Sequence, residues 1–317
     1  MDPVPEAGER GRLAAKRSGL ECRARLLTAI RSFFITRDFL EVETPVRVST
    51  PALELHIDAE SSGAAWLRTS PELHMKRLLA AGYPRLFQIG PCFRAGERGR
   101  FHHPEYTMLE WYRAGADNTA ILADMRDLLR QAAREVLGGS RLPAVSGPVD
   151  VGAAWAVLTV SEAFRTFAGW DPAEAYDADR FDLDLMQKVE PALPRDRPCV
   201  LTEYPAAAAA LARLKPGDAR VAERWELYAG GVELANAYTE LTDPDEQESR
   251  FHECAEARRR LGKTLYPLDR AFLGALRSGM PPCAGVALGV DRLAMLFAGA
   301  ESLDGVMAFR EPSEPAD

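Results

Sequence analysis

The stretch FRAGERGRFHHPEYTMLEWY, residues 93–112, decides the fold. It begins at the end of an apolar, strand-like run (85–94), crosses the charged, glycine-containing loop AGERGRFHHP, and enters a second strand-like run (105–113). Two such runs joined by a charged loop predict a long antiparallel hairpin. In the second arm, period-two alternation puts Tyr106, Met108, Glu110 and Tyr112 on one face and Thr107, Leu109 and Trp111 on the other. A face that mixes a carboxylate with two phenols is either an ordinary solvent-facing side or the wall of a polar cleft able to hold an ammonium group.

Outward from this hairpin the pattern alternates between helix and strand. Leu26, Ile30, Phe33 and Phe34 recur at helical spacing and predict an amphipathic helix over 13–38. FLEVETPVRVSTPALELHID (39–58) has prolines that break helix and an alternation that supports short extended pieces. Pro71 opens and Gly82 closes a helix over ELHMKRLLAAG. Residues 117–137 predict another helix, and 199–204 a strand followed by a helix start in the alanine run 206–210. RWELYAGGVELANAYTEL (224–241) reads as a second hairpin, and 243–262 as a charged helix. CAGVALGV (283–290) is a strand, and DRLAMLFAGA a helix with Asp291 as its expected N-cap. Residues 138–200 carry no motif. Strands in hairpins flanked by helices predict an α+β fold, with an antiparallel sheet and not a doubly wound parallel one.

The chain has 317 residues, 47% hydrophobic and 27% charged, which is the balance of a globular protein and excludes disorder, collagen-like repeats and coiled coil. Length alone suggests about two domains. No apolar run is long enough to span a bilayer, and the N-terminus lacks the apolar stretch of a signal peptide, so the expectation is a cytoplasmic protein with no membrane attachment. A net charge of −8 argues against nucleic-acid binding driven mainly by counterion release. Five cysteines without paired spacing read as reduced core residues.

The second hairpin carries candidate chemistry. If Ala229-Gly230 forms a two-residue loop, Glu226 stands directly opposite Glu233, and a divalent cation such as Mg²⁺ bridging to phosphates would relieve their repulsion. Asn236, Tyr238 and Glu240 share a face, but Glu233 has the opposite parity, so a bulge or strong twist is needed to join them. Arg94, Arg98, Arg100, His102, His103 and Arg292 are candidates for phosphate contact, though loop arginines are commonly just solvated. There is no P-loop and no GxGxxG fingerprint.

FLEVETPV, FRAGERGRFHHPEYTMLEWY and GVALGVDRL resemble, in order and spacing, motifs 1, 2 and 3 of class II aminoacyl-tRNA synthetases. LRTSPELHMKRLLAAG and ELANAYTELTDPDEQESRF narrow the resemblance to the lysyl-tRNA synthetase branch. Within it, WELYAGGVELAN, Ser70 in place of alanine and Ala287 in place of glycine resemble the stand-alone paralogues that attach a lysyl group to a lysine of elongation factor P. The resemblance covers roughly 12–310 and implies one catalytic domain, 13–317, behind a flexible arm, 1–12, with no anticodon-binding domain and no tRNA partner.

Residue by residue, the resemblance implies that Arg94 holds the α-phosphate of ATP, that Arg292 and His102 meet the terminal phosphate, and that Tyr106 stacks on adenine. It implies Mg²⁺ at Glu226 and Glu233. Glu110, Tyr112 and Glu240 would hold the substrate's side-chain ammonium, Asn236 its carboxylate end and Glu72 its reacting-end amine, beside Ser70. The methyl of Ala287 would intrude on the amino-acid pocket and could favour (R)-β-lysine over α-lysine. One departure stands out: the usual Arg-x-Glu of motif 2 is here Arg94-Ala95-Gly96, with the acid at Glu97. Motif 1 implies a homodimer. The rival expectations are a truncated lysyl-tRNA synthetase that charges tRNA and a catalytically silent regulatory paralogue.

Overall fold

The computed structural model describes residues 7–310. The helix Arg17–Ile35 buries Leu26, Ile30, Phe33 and Phe34 almost completely, as its apolar stripe predicts. Phe34 stacks on Phe87 (centroids 4.8 Å apart) and touches Trp111 (5.1 Å), which pins this helix to the first hairpin. Ahead of it, Ala7–Ala15 is also helical, so the arm expected over 1–12 is helical in its second half. Residues 1–6 lie outside the described part.

The first hairpin pairs Arg85–Phe93 with Glu105–Ala114, and the second pairs Asp218–Ala229 with Val232–Thr239. Cys283–Gly289 lies between them and joins both into one nine-stranded sheet. The sheet is antiparallel in its centre but mixed at its margins. Leu40–Glu41 runs parallel to Arg85–Phe93, and Ala156–Thr159 runs parallel to Cys199–Pro205, so the sheet is antiparallel through both hairpins, as expected, with a parallel strand at each margin. Both parallel strands arrive from outside the hairpins, where a chain entering beside a helix is not bound to antiparallel pairing.

One face of the sheet packs against Arg17–Ile35, Asn118–Leu137 and Val290–Ala298 through Leu109, Trp111, Trp225, Leu227, Ala237, Val286 and Leu288. The other face is covered only at its ends. At one end a cluster including Leu73, Leu79, Phe251, Phe272 and Tyr112 packs under the helices Glu72–Ala80, Pro244–Arg260 and Arg270–Arg277. At the other, Val160, Phe164 and Phe181 of the segment without sequence motifs pack on Leu201, Tyr204 and Tyr228. The uncovered middle is a cleft.

Three local expectations are corrected. The alanine run forms only a short 3-10 turn, Ala206–Ala208, because helix propensity is weak against an adjoining strand and tertiary contacts. Gly289, not Asp291, caps the last helix, and Asp291 is spent on tertiary contacts, accepting from the backbone N–H of Thr107 (2.7 Å) and from Arg23. The second hairpin turns at Gly230-Gly231, both at positive φ (61° and 80°), one residue later than the loop Ala229-Gly230.

Candidate active site

The cleft has a volume of about 850 Å³, within the range of small-molecule sites, and the polar faces of both hairpins line it. The alternation read in the first hairpin holds: Tyr106, Met108, Glu110 and Tyr112 face the cleft, and Leu109 and Trp111 the core. The opposed pair expected at Glu226 and Glu233 is corrected. Glu226 is registered with Asn236 and Glu233 with Tyr228, because the turn lies one residue later and the register slips between Leu227 and Tyr228. The slip is a β-bulge in which consecutive Leu234 and Ala235 both enter the core. It reverses the parity of the strand, so Glu233, Asn236, Tyr238 and Glu240 all line the cleft together with Glu226.

At one end of the cleft the carboxylates are buried. Glu110 accepts from Ser70 Oγ (2.7 Å) and from Tyr112 OH (2.8 Å), while Ser70 Oγ also accepts from the Glu72 N–H (2.9 Å), fixing the helix start. Burial above all, then the Glu72 charge, pushes the Glu110 carboxyl up from 4.5 to about 7 despite those hydrogen bonds. Burial pushes Glu240 up as well, opposed by Lys76. Ala287 is registered between Glu110 on one side and Asn236 on the other, so its methyl stands between the two groups assigned to opposite ends of a substrate. Gly285, two residues earlier, leaves no room for a side chain: a Cβ there would overlap the Tyr112 ring and come within 2.8 Å of Glu240 Oε1.

The other end is cationic and more open. Arg292 donates to the carbonyls of Phe101 (3.1 Å) and Glu233 (2.9 Å), and its Nη2 lies 2.7 Å from His102 Nε2. Arginine only donates, so that nitrogen of His102 is an acceptor and the ring is neutral, in keeping with a pKa lowered by burial and by Arg292. Arg94 sits over the Tyr106 ring (5.1 Å), and its buried Nε has no hydrogen-bond partner among the described residues. Such a donor is free for an anion. Glu97 also lines the cleft, 3.6 Å from Arg94, reached through a turn at Gly96 with φ 77°. Arg98 and Arg100 do not line it, and Arg100 is held by the Glu301 carbonyl (2.6 Å).

Glu226 accepts from Tyr204 OH (2.5 Å), Tyr228 OH (2.7 Å) and Arg224 Nη2 (2.6 Å). Burial and the Glu226 charge push the Glu233 carboxyl up, opposed by Arg292 and Arg94. The sequence reading did not single out Tyr204, Arg224, Tyr228, Glu54 or Lys76. Tyr204 follows a bulge with Glu203 at φ 60°, which hides its phase, and Lys76 looks like half of a surface i,i+4 pair with Glu72.

The chain matches the family of tRNA synthetases class II (D, K and N) over residues 12–313. It is 40% identical over 307 residues to the elongation factor P--(R)-beta-lysine ligase of Hamiltonella defensa, covering 92% of this chain and 94% of that protein. It is 41% identical over 319 residues to the ligase of that name from Photorhabdus laumondii (90% and 93% covered) and 40% identical over 314 residues to that of Vibrio cholerae (93% and 96%). The chain therefore belongs to the class II synthetase family and, within it, to the group of elongation factor P--(R)-beta-lysine ligases.

Proposed function

We propose that this protein joins (R)-β-lysine to elongation factor P in two steps within the one cleft. The observation that carries this reading is the juxtaposition, in one cleft, of a buried carboxylate pocket with an arginine-lined anion site. In the first step the carboxylate of the amino acid attacks the α-phosphorus of ATP, and pyrophosphate departs. Arg94 holds the α-phosphate, Arg292 and His102 the terminal phosphate, and Tyr106 the adenine. Arg292 is already oriented by two carbonyls, so little reorganisation accompanies charge development. Glu226 and Glu233 would hold Mg²⁺, which supplies charge neutralisation on the phosphates when bound. In the second step the ε-amine of a lysine on elongation factor P attacks the acyl carbon of the adenylate, and AMP leaves.

Glu110, Tyr112 and Glu240 hold the side-chain ammonium of the substrate, Glu72 and Ser70 flank its other amine, and Asn236 meets the carboxylate end. The catalytic domain works as a homodimer through the motif 1 region, where Ile35, Leu40 and Val46 are exposed apolar residues. Among the described residues no helix is long and apolar enough to cross a membrane, which accords with a cytoplasmic site of action. Mass spectrometry of elongation factor P after incubation with enzyme, ATP and each lysine isomer tests acceptor and substrate together. The expected result is the mass of one (R)-β-lysyl group on one lysine. An unmodified factor alongside efficient charging of tRNA would replace this reading with that of a truncated synthetase, and absence of pyrophosphate exchange with every isomer would leave a silent paralogue.

A further inference from the structure

Lys76 lies one helical turn after Glu72 and is entirely buried. Its ammonium is 2.5 Å from Glu72 Oε1 and 2.5 Å from Glu240 Oε2, and it does not line the cleft, so it can touch a ligand only through those two carboxylates. Glu72 and Glu240 do line the cleft, with Glu110 beside them. A buried lysine between two carboxylates is a costly arrangement that persists only where the charges are matched closely.

The charges at this end of the cleft do not balance by themselves. With Glu72, Glu110 and Glu240 ionised, three carboxylates face one resident ammonium, which leaves two negative charges for a ligand to compensate; while the pocket is empty, protons on Glu110 and Glu240, whose carboxyls burial pushes up, relieve part of that charge. A ligand with two ammonium groups closes that gap, whereas one with a single ammonium leaves a buried carboxylate unpaired. We propose that Lys76 is a specificity-determining positioning residue: as a resident cation shared by Glu72 and Glu240, it sets the residual charge of the pocket at two and so selects amino acids that carry two ammonium groups. The inference rests on the assignment of this pocket to a lysine isomer, and goes beyond it in naming what counts the charges.

A structural role and a charge-setting role differ in the sign of one effect. Glu240→Gln alone leaves two carboxylates against Lys76, a residual charge of one, and should shift preference from diamino acids toward monoamino ones. Adding Lys76→Met to that variant leaves Glu72 and Glu110 with no resident cation and returns the residual charge to two. The readout is calorimetric affinity, without ATP, for (R)-β-lysine and α-lysine against 6-aminohexanoate, which lacks one of the amines.

Glu240→Gln is expected to lower the diamine preference about tenfold, and the double variant Lys76→Met/Glu240→Gln to regain at least about fivefold of it, a tenfold change being the scale of one modest charge interaction. A second substitution that only erodes the preference further, or a double variant that cannot fold when Glu240→Gln does, assigns Lys76 a purely structural role and overturns the inference. Wild-type protein that binds neither lysine isomer overturns the pocket assignment itself, and this inference with it. Binding by the wild type with no regain in the double variant overturns this inference alone.

Discussion

At the end of the cleft proposed to take the lysine, side-chain exposure is 0% for Lys76, 1% for Glu240 and 11% for Glu72, whereas at the end proposed to take the phosphates it is 19% for Arg292, 27% for Arg94 and 41% for Glu233. The lysine end spends its hydrogen bonds internally, on Ser70, Tyr112 and Lys76, before a ligand arrives. The other end keeps a buried Arg94 Nε with no hydrogen-bond partner among the described residues, and a Glu233 side chain that is only partly buried. The difference is one of access: on the proposed assignment, a small substrate suits a closed pocket, while a large polyanion that must enter, react and leave suits groups that are already oriented yet still exposed. Substitutions at the first end should disturb folding and binding together. At the second they should disturb rate with little effect on folding.

The sharpest break in this contrast comes from Arg94→Ala. Its loss should lower kcat for pyrophosphate exchange by about 10²- to 10³-fold, the scale for removing one preorganised donor to a developing charge, with an unchanged melting temperature. A melting temperature that drops by many degrees would place Arg94 with the sealed end instead. Gly285→Ala tests that end: the added methyl overlaps Tyr112 and crowds Glu240, so lysine affinity should fall about tenfold or more and the melting temperature should fall with it, in calorimetry and a thermal melt on one sample.

Glu110 supplies a pH test. Its carboxyl is raised from 4.5 to about 7, and only the ionised form attracts an ammonium, so the KM for lysine should fall as pH rises from about 6 to 8. The sign for stability is opposite. The folded state binds the extra proton between those two values, so the ligand-free protein should lose stability as pH rises from about 4.5 through 7. Glu110→Gln should remove the part of both profiles centred near 7 and leave only the part that Glu240, also pushed up by burial, contributes; unchanged profiles in this variant would take the titration away from Glu110. The smallest effect is expected of Ala287→Gly, which should move selectivity toward α-lysine by about tenfold, the scale of one methyl in a packed pocket. An unchanged ratio of kcat/KM values for the two isomers would remove Ala287 from the selection of the β-isomer.

Both hairpins, the helix Arg17–Ile35 and the polar face of Glu105–Ala114 were legible in the sequence because apolar alternation or helical spacing ran uninterrupted there, as Leu26, Ile30, Phe33 and Phe34 illustrate. The register of the second hairpin was not. Leu234 and Ala235 are both apolar, so nothing in their chemistry reveals which of them breaks the alternation, and an Ala-Gly-Gly turn can close in two registers. The edges of the sheet were hidden for another reason: Leu40–Glu41 and Ala156–Thr159 are too short to show a period. Lys76 was missed because an i,i+4 Glu–Lys pair has one spelling whether it faces water or lies buried, and only Glu240, distant in sequence, distinguishes the two.

The bulge at Leu234-Ala235 is also a joint in the cleft wall: Glu233 before it pairs with Arg292, while Asn236, Tyr238 and Glu240 after it run toward Lys76. It makes the strand unevenly tolerant of changes in length. Loss of Leu234 or of Ala235 would return the strand to plain alternation with Glu233 and Asn236 still on one side. Loss of Ala237, two positions after Ala235, would turn Tyr238 and Glu240 inward and remove both from the cleft. One strand thus has a spot where the chain can be shortened without changing its meaning, and it lies between the half proposed to handle the nucleotide and the half proposed to choose the amino acid.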